Sequence, residues 1–255
     1  MDPASSFLPL GDFTARAPSA RTLTCSTSAP TGLLNFVLAE SALELVPKEI
    51  RKLPAVVSDS KRREADASAI LLDRSFHHSA MARLKDSEKR GRPDLVHSAL
   101  LSATGTPLYL QGRVKVFVHT YCDLVVDIAP KTRVPKSYLR FRGLMEQVLL
   151  GRGDKLVTAR PSKLTDLVRK AVKPDITVGL SVQGRKMELE DLAGRLMSAD
   201  NACLIVGGFP RGHFSAETLS VVDELVRIHE MPLEAHVVTS RLLYEFEKAV
   251  TAVNH

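Results

Sequence analysis

An α/β fold with a largely parallel sheet is predicted, and three features predict it. In the last third of the chain, "TVGLSV" (177–182), "ACLIVGG" (202–208) and "VRIHE" (226–230) are β-branched runs, each followed by a helical pattern. Near the start, "LLNFVLAE" (33–40) is a continuous apolar run ending in charge, which suits a strand buried on both faces. The length, 255 residues, is enough to bury a full core in one large domain or two small ones.

Residues 1–31 are rich in Ser, Thr, Ala and Pro and lack periodicity, so a loose arm is expected there. After the strand at 33–40, a charged connector around Lys61, Arg62 and Arg63 leads to a second short strand at "AILLD" (69–73). "VKVFVHT" (114–120) and "LVVDI" (124–128) read as a hairpin turning at Tyr121–Asp123. Behind 177–182, Leu189, Leu192, Ala193, Leu196 and Met197 recur at helical spacing. Behind 202–208, Ser215 is a candidate N-cap, with Leu219, Val222 and Val226 along one helical face. "VRIHE" runs through "MPLEA" into a last helix carrying Val238, Leu242, Phe246 and Val250.

Charge is unevenly spread. Between 131 and 170 there are eleven basic residues and three acidic ones, whereas 180–255 holds seven basic and eleven acidic. The first region projects a positive field suited to a polyanion, although a solvated basic face has the same composition. Cys25, Cys122 and Cys203 are odd in number and widely spaced. They imply neither a disulfide framework nor a zinc pair, and a reducing intracellular compartment is expected. The first residues lack the basic flank and apolar core of a signal peptide. No apolar run reaches the length of a membrane-spanning helix.

Ligands of open α/β sheets sit at the carboxyl ends of strands. Three such ends fall at Leu180–Ser181, Gly207–Gly212 and Ile228–Leu233, turns that offer backbone groups with little side-chain bulk. "IVGGFPRGHF" (205–214) is the most marked. No Gly-Lys-Ser/Thr and no Gly-x-Gly-x-x-Gly opens a helix, and "GRGDKL" (151–156) is only half of a phosphate loop. A partly apolar pocket for an adenine-and-methionine ligand suits the turns better than a phosphate cradle, while tight packing turns account for the same spacing. Phe209 reads as core, and Met231 as core or adenine contact. His77, His78, His97 and His119 lack metal-ligand spacing and read as structural. Ser75 and Ser181 form no nucleophile motif.

Several longer motifs occur in order: "ILLDRSFHHSAM" (70–81), "RGRPDLVHSALL" (90–101), "VHTYCDLVVDIAPKTRVPKSYLRFRGLMEQVL" (118–149) and "VGGFPRGHF" (206–214). With them the chain, from about residue 33 to its C-terminus, resembles the small-subunit ribosomal RNA pseudouridine N1-methyltransferases, the ribosome-assembly branch of the SPOUT (α/β-knot) class. The resemblance implies a trefoil-knotted, largely parallel sheet flanked by helices, with an inserted basic RNA-binding region. It implies a single domain over 32–255, RNA-facing at about 83–170 and cofactor-binding at about 175–255. It also implies S-adenosyl-L-methionine as cofactor, a homodimer, no metal, no membrane, and a pseudouridine-containing loop of small-subunit RNA as substrate. The expected location is the cytoplasm, or the nucleolus in a eukaryote.

Carried over by position, the cofactor residues are Leu180, Gly207, Gly212, Ile228, His229, Glu230, Met231, Pro232 and Leu233. Arg92 and Asp94 occupy an Arg-Pro-Asp motif that contacts RNA and braces an arginine. Arg133, Lys136 and Arg140 occupy the basic turn, and their spacing predicts one face of an N-terminal helical turn. Three positions depart from the pattern: Lys136 replaces an arginine, His213 stands where Asp is common, and Tyr109 replaces the Asn of a Ser-Pro-Leu-Asn turn. Transfer from a sulfonium to a ring nitrogen needs alignment above all and releases one proton. Asp94 is the candidate catalytic base, with bracing of an arginine as the plainer role. An RNA-binding assembly factor that needs no turnover is the alternative function. Turns kept free of bulk at 207–212 and 228–233 favour a working cofactor site.

Overall fold

The computed structural model describes residues 32–253. The arm expected at 1–31, with Cys25, lies outside the described residues. In chain order the elements are β1 (Leu33–Ser41), α1 (Pro54–Arg63), α2 (Arg74–Met81), α3 (Pro93–Thr104), α4 (Pro107–Leu110), β2 (Val114–Thr120), β3 (Leu124–Ile128) and α5 (Tyr138–Gln147). Then follow β4 (Val157–Pro161), α6 (Leu164–Asp166), β5 (Ile176–Lys186), α7 (Leu189–Met197), β6 (Asn201–Gly207), α8 (Ala216–Leu219), β7 (Glu224–Arg227) and α9 (Ala235–Val253).

The strands form one sheet in the order β4-β3-β2-β1-β6-β5-β7. β2, β1, β6, β5 and β7 pair in parallel, and β3 and β4 extend the sheet antiparallel. β1 is central, flanked by β2 and β6, and its alternation shows why its run is apolar throughout. Leu34, Phe36 and Leu38 enter the larger core with Leu204 and Val206 of β6, beneath α3, α7 and α9. Val37 and Ala39 point the other way, onto Cys203, Ile205, Phe214 and Leu167. Each fully buried Leu or Phe contributes about 1.5–3 kcal/mol, so both faces hold β1 in register. A satellite cluster including Val46, Ile50, Val56, Ile70, Leu72 and Met81 seats α1 and α2.

The hairpin at 114–128 is present, with Val118 opposite Val126. The helices at 189–197 and 235–253 also lie where their patterns place them. Three expectations change. "AILLD" makes no strand: Leu71 forms an isolated bridge with Leu45, and its N–H is taken by the Glu146 carboxylate at 2.9 Å instead of a ladder. Ser215 does cap a helix, accepting from the Thr218 N–H, but that helix ends at Leu219. Asp223 then bonds back to both backbone groups of Thr177 at 2.7 and 2.9 Å, which pulls Val222 and Val226 out of any helical stripe. β5 continues past Leu180–Ser181: Leu180 and Arg185 both face Val226, so residues 181–184 bulge from the sheet. Among the described residues, no helix is long and apolar enough to cross a membrane.

Candidate functional site

Parallel strands leave their carboxyl ends on one edge, and there β5, β6 and β7 open into a cleft of about 350 Å³. Leu180 and the bulge after it form one side, Gly207 to Phe214 the second, and Ile228 to Leu233 the third. Eight of the nine expected cofactor residues line it: Leu180, Gly207, Gly212, Ile228, His229, Met231, Pro232 and Leu233. Glu230 does not; it sits on the rim, 3.0 Å from the Arg227 guanidinium. Phe209 lines the cleft as well as packing edge-on against Phe214, so it serves both core and wall. Met231 is 65% exposed and is no core residue.

At Gly212 glycine is required for the backbone more than for cleft volume. Gly212 has φ +104°, and a Cβ there would lie 3.0 Å from the Lys89 side chain. A Cβ on Gly207 would meet the Phe209 ring at 3.0 Å. The walls are otherwise apolar, and Arg211, Arg227, His213 and His229 are the lining side chains with titratable or charged nitrogens. The Nε of Arg227, which lines the cleft, is buried and has no acceptor among the described residues.

The Arg-Pro-Asp corner stands at the start of α3. Arg92 donates to Asp94 through Nε and Nη2, both at 2.9 Å. Burial works against the Asp94 charge, but the Arg92 fork outweighs it and holds the carboxyl below its ordinary value. Arg92 also feels Glu234, which helps raise its pKa after the larger effect of Asp94. The Arg92 N–H donates to the Ala42 carbonyl at 3.2 Å and the Ala42 N–H to the Gly208 carbonyl at 2.8 Å, so the corner adjoins the cleft where Gly207 and Phe209 line it.

Arg133, Lys136 and Arg140 are exposed, and none makes an ion pair among the described residues. They do not share a helical face. Arg133 and Lys136 lie on the approach to α5, and only Arg140 is on the helix: Pro135 disfavours helix at Val134, and the chain bends at Lys136 and Ser137 before α5 begins at Tyr138. Two contacts fix this approach against the Arg92 corner. His97 of α3 stacks on Phe141 at 4.4 Å, and its Nε2 meets the Pro135 carbonyl at 2.7 Å. Tyr138 donates to Asp73 at 2.5 Å; burial first, then this bond, pushes the phenol well above its ordinary pKa. Tyr109 is fully buried and donates to the carbonyls of Ala129 and Thr132, so it braces the segment leading to Arg133.

Of the other histidines, His77 and His119 are absorbed by packing, His77 Nδ1 accepting from the Asp73 N–H and His119 Nδ1 from the Glu40 N–H, while His78 is exposed. Sequence reasoning missed Glu40, Lys89, Glu44 and Arg90, which brace the cleft and the corner from behind. Arg90 forks onto Glu44 at 2.7 and 2.6 Å. The charged "EKRGR" (88–92) ahead of Pro93 was the only signal, and it names no partner.

Residues 36–247 match the profile of the EMG1/NEP1 methyltransferase family. The ribosomal RNA small subunit methyltransferase Nep1 of Staphylothermus marinus is 39% identical over 216 residues, 82% of this chain and 93% of that protein. Nep1 of Pyrobaculum calidifontis is 40% identical over 221 residues, 84% of this chain and 98% of that one. The crystal structure of Archaeoglobus fulgidus Nep1 bound to S-adenosylhomocysteine superposes with a TM-score of 0.76 at 34% identity, covering 85% of this chain and 98% of that one. That likeness assigns the sheet and its helices to the SPOUT class. With a profile spanning most of its length and relatives this similar, the chain belongs to the EMG1/NEP1 methyltransferase family.

Proposed function

We propose that this protein methylates N1 of a pseudouridine in small-subunit ribosomal RNA, using S-adenosylmethionine, as a step in small-subunit assembly. The observation that carries the reading is adjacency: one residue, Ala42, is hydrogen-bonded through its carbonyl to the Arg92 N–H at 3.2 Å and through its N–H to the Gly208 carbonyl at 2.8 Å, between the cleft residues Gly207 and Phe209. A cofactor held in the cleft and an RNA base held at the Arg92–Asp94 corner would be neighbours. Its relatives are small-subunit RNA methyltransferases by name, and one was solved with the demethylated cofactor.

The residues present fit the cofactor. The apolar walls of Leu180, Val206, Ile228 and Leu233 suit an adenine ring, and the turns supply backbone groups for its edges. The orphaned Nε of Arg227 suits the carboxylate of the amino-acid tail. When bound, the cofactor supplies an electrophilic sulfonium methyl.

Arg92, Arg133, Lys136 and Arg140 supply phosphate contacts that orient the RNA loop. Asp94 keeps the planar Arg92 guanidinium aimed; a carboxylate so stabilised is a weak proton acceptor, so bracing is its role. The same reading takes about 83–170 as the RNA-facing part and about 175–255 as the cofactor part of a homodimer. It places the protein where small-subunit RNA matures, in the cytoplasm or a eukaryotic nucleolus. Incubation with labelled S-adenosylmethionine and small-subunit RNA tests the activity: label in the RNA is expected, and none with a folded, cofactor-bound protein contradicts it.

A further inference from the structure

The Phe209–Ser215 wall is held from behind by two residues that do not line the cleft. Glu40 stands just past the pairing of Ala39 with Gly207, buried and left-handed at φ +50°. One carboxylate oxygen accepts from the Ser215 N–H and the Thr218 hydroxyl, each at 2.7 Å. The other accepts from Lys89 Nζ at 2.7 Å. Lys89 also donates to the His213 carbonyl and lies 4.6 Å from the centre of the Phe209 ring. Its stem runs beside Gly212. Phe209, Gly212 and His213, all on the cleft, thus lean on one side chain.

The wall needs such support. It carries Gly212 and is entered through Gly207 and Gly208, whose freedom must be lost when a ligand is enclosed. Ordering it beforehand removes that cost from binding. Burial would favour a neutral Glu40, but Lys89, Ser215 and Thr218 outweigh it and keep the carboxylate charged. Lys89 is itself placed by Arg90, which is forked onto Glu44.

We propose that the Glu40–Lys89 pair positions the Phe209–Ser215 turn, so that cofactor affinity depends on a contact made outside the cleft. This rests on the cofactor reading above. The test is calorimetry with S-adenosylhomocysteine on wild type, Lys89→Met, Lys89→Arg and Glu40→Gln, with amide exchange on each. Lys89→Met and Glu40→Gln should each weaken binding about tenfold, the size of one charge-assisted hydrogen bond, and Lys89→Arg should recover most of it. Exchange should quicken at 208–215 and stay unchanged at 228–233. Unchanged affinity in both variants overturns the proposal. So does exchange that quickens throughout the chain, or a variant that fails to fold, since either makes the pair merely structural. A folded wild type that does not bind the ligand overturns the cofactor reading instead.

Discussion

Arg92 and Asp94 meet side-on, with Nε–Oδ1 and Nη2–Oδ2 both 2.9 Å apart. A two-residue offset across Pro93 sets this fork at the first turn of α3, where the Leu95 N–H also stabilises the carboxylate. Both side chains remain partly exposed. The pair is therefore weak as a contributor to stability and well placed to present a fixed guanidinium face.

Asp94→Asn should weaken RNA binding and leave the pH dependence of the single-turnover rate nearly unchanged. A base would show the opposite: near-normal binding and a rate lower by roughly 10²–10⁴. Filter binding and quenched single-turnover assays on one RNA hairpin separate the two.

The basic approach predicts a salt signature. Replacing Arg92, Arg133 and Arg140 with Ala should flatten the plot of log affinity against log salt by roughly 0.7–0.9 for each phosphate no longer neutralised. Cofactor affinity should be unaffected. A triple variant that binds RNA like wild type would make these residues a solvated face.

Gly212→Ala places a β-carbon at a backbone angle that L-residues rarely adopt and presses it on Lys89. A cost of about 1–3 kcal/mol is expected, divided between lower stability and weaker binding. Calorimetry and thermal melts measure the two parts, and no change in either would show that the turn relaxes freely.

Arg227→Ala should weaken S-adenosylhomocysteine binding but leave 5′-methylthioadenosine, which lacks the carboxylate, unaffected. Equal losses for both ligands would mean that the orphaned Nε only shapes the wall.

Stability should fall as pH drops below about 6.5, the ordinary histidine value. Burial pushes the His77 pKa down against Asp59 and Asp73, and pushes His119 down against Asp123. Below that value the unfolded chain binds more protons than the folded one, so acid favours unfolding. Glu40 and Asp94, held low, add to the loss only nearer the ordinary carboxyl range. Urea midpoints between about pH 7.5 and about pH 5.5 should decline, and less steeply in His119→Gln. A flat profile would contradict the buried neutral state.

Elements whose own residues determine their shape were legible. β1 and β6 are apolar on both faces, and α7 and α9 repeat every turn. Elements set by a distant partner were not. "AILLD" has strand composition, yet Glu146, 75 residues away, takes the N–H that a ladder needs. "VTARP" became β4 because β3 offered an edge, without an apolar run of its own. The cleft residues came from a resemblance and fell together in space, apart from Glu230. Glu40 and Lys89 are 49 residues apart, and nothing in either segment names the other.

The most direct test compares two RNA hairpins identical except for one base, pseudouridine in one and uridine in the other. Each is incubated with the protein and S-adenosylmethionine and weighed by mass spectrometry. Uridine has its N1 tied to the ribose, whereas pseudouridine, joined through carbon, presents an N–H there. The pseudouridine hairpin should gain one methyl group and the uridine hairpin none. Equal methylation of both, or methylation of neither by a protein that binds cofactor and RNA, would contradict the account.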